Sequence, residues 1–128
     1  MQQHYSDVKS SIPEDVELVA VSKMFTEIDI QHIYDLGQRS FGENYAQELL
    51  EKAPRLPADI RWHFIGGLQS NKIRPLLSLP NLTAIHTVDS IAKAEQIERE
   101  CARIGRQVDI YLQVNVGGDD RKHGICVE

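Results

Sequence analysis

The chemistry most readily read from this chain begins with a lysine. Glu17-Leu18-Val19-Ala20-Val21-Ser22-Lys23 delivers an amine directly after an apolar run of strand length. Leu18 to Val21 is continuous hydrophobic sequence, as expected of a parallel strand buried on both faces. A helical segment follows at about Ile28, so Lys23 falls just past the carboxyl end of the first strand, the edge where α/β proteins bind ligands. A lysine there, partly dried by apolar neighbours, can attack an aldehyde and form a Schiff base. The same spacing also describes an ordinary solvated loop residue. The second stretch is Trp62-His63-Phe64-Ile65-Gly66-Gly67-Leu68-Gln69-Ser70-Asn71-Lys72. Its paired glycines, between a strand and a helix, offer backbone N–H groups to an anion or simply make a tight turn. It is not a Walker A loop, because no Gly-Lys-Ser/Thr follows at the required spacing. His63 alternates with Trp62 and Phe64 and faces away from both, as a hydrogen-bonded interior histidine also would.

The elements that must position these residues alternate. Met1 to Glu14 is polar, and Pro13 marks the approach to the first strand. Thr26 and Asp29 form a capping box for a helix whose apolar side is Ile28, Ile30, Ile33, Tyr34 and Leu36, with Gly37 as its stop. Arg39 to Gly42 is a second strand. Asn44 with Gln47 resembles another capping box, opening a helix through Ala46, Leu49, Leu50 and Ala53 to Pro54. Ile60 to Ile65 is a third strand. Helical character resumes near Ser70 or Asn71, where Pro75 must sit in the first turn or kink the helix. Leu82 to His86 is a fourth strand. Ile91, Ala94, Ile97, Cys101 and Ile104 then mark a helix capped by Asp89 or Ser90 and stopped by Gly105. Val108 to Val114 is a fifth strand, and Gly117 to Glu128 a polar loop. Strand-helix four times, then a strand, means right-handed crossovers and a parallel α/β sheet. Doubly wound sheets and (β/α)₈ barrels share that pattern.

At 128 residues the chain forms one domain, 1–128, with a real core. A formal charge of −5, from 14 basic and 19 acidic side chains without a basic stripe, argues against nucleic acid or an anionic membrane as partner. The apolar runs are too short to span a bilayer, and the first residues carry no signal-peptide pattern. Cys101 and Cys126 lack metal-type spacing, and no metal site is expected. Both are read as reduced thiols of a cytoplasmic protein.

The run from Trp62 to Lys72 resembles the signature of the pyridoxal phosphate homeostasis proteins, a family that binds pyridoxal 5'-phosphate (PLP). Three further stretches fit in order: Val19 to Lys23, Phe41-Gly42-Glu43-Asn44-Tyr45-Ala46-Gln47-Glu48, and Gln113-Val114-Asn115 followed by Lys122-His123-Gly124-Ile125. The likeness covers roughly Glu17 to Ile125. It implies a parallel (β/α) barrel of TIM type, like the N-terminal domain of alanine racemase, represented by about its first five strands and four helices. PLP would sit at the carboxyl ends of the strands. The resemblance makes Lys23 the lysine that holds PLP as a Schiff base, turns Asn44 and His63 toward the cofactor, and makes Lys122 a second lysine nearby. Read from residues alone, Asn44 is a helix cap and Lys122 a solvated charge. Glu43, Thr87 and Asn115 lie at strand ends without an assigned role, and Lys52, Lys72 and Lys93 are expected as ordinary surface amines.

Departures from the family pattern also carry expectations. Met24-Phe25-Thr26 stands where many members have Lys-Pro after one intervening residue, so one local positive charge is lost. The helix preceding the first strand is shortened to about a dozen polar residues. The family's phosphate-binding Ser/Thr and Gly residues and its pyridine-side arginine belong to later strands. The expected function is reversible holding of PLP in cofactor homeostasis, without a reaction of its own. A PLP-dependent amino-acid racemase is the alternative from the enzyme class, and a truncated barrel fragment that self-associates through open sheet edges without cofactor is the third.

Overall fold

The computed structural model describes residues 2–127; Met1 and Glu128, at the two polar ends of the sequence, lie outside them. Five strands build the main sheet: β1 (Ala20–Val21), β2 (Ser40–Glu43), β3 (Arg61–Phe64), β4 (Leu82–Val88) and β5 (Asp109–Leu112). All are parallel, and their spatial order is their order in the chain. That order separates the two architectures that periodicity leaves open. A doubly wound sheet reverses direction at a switch point, whereas a barrel adds every strand on the same side of the last. Consecutive right-handed crossovers in one direction also put all the connecting helices on one face.

Those helices are α2 (Glu27–Asp35), α3 (Ala46–Lys52), α4 (Ser70–Leu77) and α5 (Ile91–Ile104), preceded by α1 (Gln2–Ser11). Phe41, Trp62, Phe64, Leu82, Ile85 and Val88 of the sheet pack with Ile30, Leu49, Ile73, Leu76, Leu77 and Ile97 of the helices in one buried cluster. Each such side chain stabilises the fold by ~1.5–3 kcal/mol on burial. Phe41 and Trp62, directly opposed across β2 and β3, meet with ring centroids 5.9 Å apart. Alternation turns Ser40, Gly42, Arg61 and His63 to the other face.

Local chemistry sets most boundaries as expected. Thr26 accepts from the Asp29 N–H while the Asp29 carboxylate accepts from the Thr26 N–H, completing the capping box of α2. Ser90 caps α5, and Gly105 ends it at φ +69°. Arg106 then donates to the carbonyls of Leu77, Leu79 and Leu82, tying the end of α4 to the start of β4.

Other expectations are corrected. The first strand is two residues long and is not buried on both faces: Val21 is 50% exposed. As the edge of the sheet, β1 has a neighbour on one side only. The short polar helix expected ahead of the first strand is present as α1, secured by the Tyr5 hydroxyl donating to Gln38 at 2.9 Å, while Gln38 donates to the Leu18 and Ser40 carbonyls. Asn44 does not cap α3; the N-cap is Tyr45, with no side-chain bond. Pro75 lies inside α4, past its first turn. In so short a helix its missing N–H deprives only the Asn71 carbonyl of a partner. The fifth strand ends at Leu112, the other edge. Val114–Asn115 (β6) instead pairs in parallel with Ile125–Cys126 (β7), which gives order to part of the polar loop. Both cysteines are free, Cys101 buried and Cys126 exposed. Among the described residues, no helix is long and apolar enough to cross a membrane.

Candidate functional site

Lys23 follows β1 in a tight turn. The Ser22 carbonyl accepts from the Phe25 N–H at 3.1 Å, and Met24 between them has φ +66°. A positive φ at the third of four residues is the type II arrangement, in which glycine is the usual occupant. The turn is pinned from outside: the Met24 N–H donates to Glu48 Oε1 at 2.6 Å. Its Lys23 side chain is exposed, not partly dried by apolar neighbours. None of the hydrogen bonds or ion pairs among the described residues engages the Lys23 amine.

Beneath the turn lies a buried charged cluster that sequence reasoning missed. Glu43, at the end of β2, is fully buried on the helix side, and Lys52, at the end of α3, is 7% exposed. Lys52 Nζ lies 3.3 Å from Glu43 Oε2, donates to the Ser22 carbonyl at 3.1 Å and pairs with Glu48. Ser22 Oγ donates to the same Glu43 carboxylate. Burial pushes the Glu43 carboxyl above its ordinary range, against the hydrogen bond from Ser22 and the charge of Lys52. Burial also pushes Glu48 upward, but the Lys52 and Met24 donors outweigh it and hold that carboxyl low. Lys52 is therefore not the surface amine expected of it. The signal was present: it stands three residues after Leu49, on the buried stripe of α3.

The opposite face of the sheet carries an aromatic row. His63 Nδ1 lies 2.9 Å from His86 Nε2, and the His86 ring stacks on Tyr111 at 4.6 Å between centroids. Burial lowers the pKa of both histidines, with His86 lowering His63 further, so the pair is neutral near pH 7 and shares one N–H. His63 is the interior histidine foreseen, but His86 was not singled out. Its register against His63 depends on an irregularity in β3–β4 pairing that strand spacing does not reveal.

Asn44 and His63 end with buried polar atoms that no group satisfies. Asn44 Oδ1, His63 Nε2 and Thr87 Oγ1 all lack a hydrogen-bond partner. Glu17 Oε1 lies 4.0 Å from His63 Nε2. Such unsatisfied atoms are uncommon in folded chains, and Trp62 Nε1, on the core side of the sheet, is another. Gly66 follows β3 against the backbone of Asn44: a Cβ on it would lie 1.7 Å from the Asn44 carbonyl oxygen. Gly67 has open space around it. The first glycine thus serves close approach of two strand ends, and only the second is free to serve the turn.

Lys122 lies apart from these contacts, exposed on the loop between β6 and β7. Asn115 organises that loop by donating to the Asp119 carbonyl at 2.8 Å and accepting from the Asp119 N–H at 3.2 Å. Gly124, at φ +132°, packs where a Cβ would meet the Asn115 nitrogen at 2.7 Å. No hydrogen bond or ion pair among the described residues joins Lys23, Asn44, His63 and Lys122 to one another. They share strand ends and loops; Lys23 offers an exposed amine, and Asn44 and His63 each hold an unsatisfied buried polar atom. This donor set suits a polar ligand carrying an aldehyde.

The family described as alanine racemase, N-terminal domain, matches residues 1–128. A pyridoxal phosphate homeostasis protein of Schizosaccharomyces pombe is 40% identical over 117 residues, which cover 91% of this chain and 49% of that protein. The human protein of the same name is 42% identical over 115 residues, covering 84% and 42%. The structure of PipY from Synechococcus elongatus without PLP superposes with a TM-score of 0.89 at 39% identity, covering 95% of this chain and 57% of PipY. With PLP bound, PipY gives 0.85 at 39% identity, covering 91% and 55%. The chain spans about half the length of the curated relatives it matches.

Proposed function

This chain belongs to the alanine racemase N-terminal domain family, and from that premise we propose that it binds PLP through Lys23 and acts in homeostasis of the cofactor. The observation that carries the reading is the exposed amine of Lys23, set on a pinned turn past β1. PLP, when bound, supplies an aldehyde for reversible covalent capture and a ring able to draw electrons from an attached amine. Lys23 supplies the amine for capture. Asn44 Oδ1 and His63 Nε2 supply unsatisfied polar atoms toward the cofactor, and Lys122 a second amine on the loop between β6 and β7. In its neutral state His63 offers a hydrogen bond without adding a charge to the proposed site.

The proposed role is carrying and buffering PLP, not turnover of an amino acid. Both curated relatives described above are named for homeostasis of the cofactor. A racemase would require an acid or base on each face of the cofactor, and no residue beyond Lys23 is assigned that role. The two free thiols suit a reducing, cytoplasmic setting. The open edges of β1 and β5 favour self-association of the 128-residue chain, because unpaired strands and exposed Val21, Tyr111 and Leu112 invite another copy. Neither nucleic acid nor membrane is proposed as a partner of this acidic chain.

The test is borohydride reduction in the presence of PLP, followed by peptide mass mapping. Label concentrated on Lys23 and lost in Lys23→Ala is expected. Equal label on Lys72 and Lys93 would indicate ordinary amine chemistry and remove the proposal. Amino-acid turnover that vanishes in Lys23→Ala would replace it with the racemase reading.

A further inference from the structure

The turn that carries Lys23 has an inherent weakness. Met24 is a non-glycine residue in the left-handed region, a conformation disfavoured by contact between its Cβ and the following backbone. Its side chain is 79% exposed, so no packing of the methionine compensates. What holds the turn is hydrogen bonding at two points: the Met24 N–H on Glu48, and the Ser22 carbonyl. Lys52 reaches both. It donates to the Ser22 carbonyl and pairs with Glu48, while Glu43 holds it from below.

A buried lysine among carboxylates is a poor device for stability alone. Desolvation opposes the attraction, and apolar replacements of buried ion pairs are often neutral or stabilising. It is a good device for fixing geometry, because it holds the Ser22 carbonyl directly and the Met24 N–H through Glu48, while Glu43 anchors it to the sheet. We propose that Lys52 is a positioning residue for the cofactor lysine, holding the Ser22–Phe25 turn in the conformation that presents the Lys23 amine. This inference rests on the reading of Lys23 as the residue that captures PLP. Lys52 itself takes no part in capture: its amine is buried and committed to Glu43, Glu48 and Ser22.

The experiment uses the full chain with PLP and follows the initial rate of borohydride-trapped label at Lys23. Lys52→Met is expected to lower that rate about tenfold, the population lost when a left-handed non-glycine residue is no longer held. Met24→Gly in the same background is expected to restore most of it, because glycine adopts the turn without the clamp. A purely structural role for Lys52 would not be rescued at residue 24. If Lys52→Met fails to fold by circular dichroism, Glu48→Ala, which removes the acceptor of the Met24 N–H from a partly exposed position, carries the same comparison with and without Met24→Gly. Undiminished labelling in a folded Lys52→Met, or a loss that glycine at 24 does not relieve in either background, overturns the proposal. Absence of label at Lys23 in the unsubstituted chain removes the functional reading as well. Label at Lys23 with no dependence on Lys52 removes only this inference.

Discussion

Gly66→Ala separates close approach from turn flexibility in the paired glycines. The added Cβ would lie 1.7 Å from the Asn44 oxygen, 2.5 Å from its carbonyl carbon and 2.8 Å from its Cα, all backbone. Real Cβ contacts essentially never fall below 3.0 Å, so the oxygen must retreat by at least 1.3 Å. No side chain can rotate to relieve the clash; the ends of β2 and β3 must part. The bond at risk is Ile65 N–H to the Glu43 carbonyl, 2.9 Å long. Losing it costs ~1 kcal/mol, and forced displacement of packed backbone adds about 1–3 kcal/mol. Together these give ~2–4 kcal/mol, or a fall of about 8–16 °C in Tm for a domain of this size. Gly67→Ala meets nothing within 4 Å and should change Tm by no more than a degree or two. Thermal and urea unfolding of the two variants, side by side, make the assay. Equal stability of the two would refute the claim that Gly66 is required by the approach of Asn44.

Stability should also depend on pH through the histidine pair. His63 and His86 both titrate below the ordinary 6.5 because burial disfavours their charged forms. Glu17, Arg61 and Asp109 also act on His63. As pH falls through 6.5 the unfolded chain takes up protons first, so stability present at pH 7 is progressively lost. Urea midpoints at pH 7 and 5.5 should differ, and His63→Asn with His86→Asn should flatten the difference; a wild-type midpoint unchanged over that interval contradicts the assignment. Glu43 acts with the opposite sign, since its raised carboxyl favours the folded state below 4.5 and loses that contribution as pH rises to the folded value. Gly124→Ala, strained at φ +132° and pressed on Asn115, should loosen β6 and β7 while leaving the five-stranded sheet intact. Amide exchange would show faster exchange at Ile125, and equal protection in both proteins would count against it. Light scattering should find the 128-residue chain as a dimer or larger; a monomer would show that the open edges do not associate.

Much of the fold was legible because its punctuation is local. Thr26 with Asp29, Ser90 and Gly105 act within a few residues of themselves, and each ends or begins the helix that the sequence indicates. Asn44 misled because a capping pattern can be present in sequence while the backbone turns its side chain elsewhere. The charged cluster escaped notice because Glu43, Glu48, Lys52 and Ser22 come from β2, α3 and the turn after β1, and only packing brings them together. Lysine is also the residue least expected inside. Lys23 was visible as a position after a strand, but the left-handed Met24 beside it was not, since methionine is no signal for that conformation.

The strand order has a consequence for how the chain reaches its fold. Ala20 pairs beside Phe41, Phe41 beside Trp62, Trp62 beside Leu82, and Ala84 beside Asp109. Every pairing closes a loop of ~20–25 residues, and loop-closure entropy at that length is modest. Each strand therefore docks on its predecessor as soon as one helix has emerged behind it. Assembly can proceed from the N-terminus during synthesis, at the pace of translation. Its growing front at each step is a single new edge strand, while β1 stays the fixed edge on the other side.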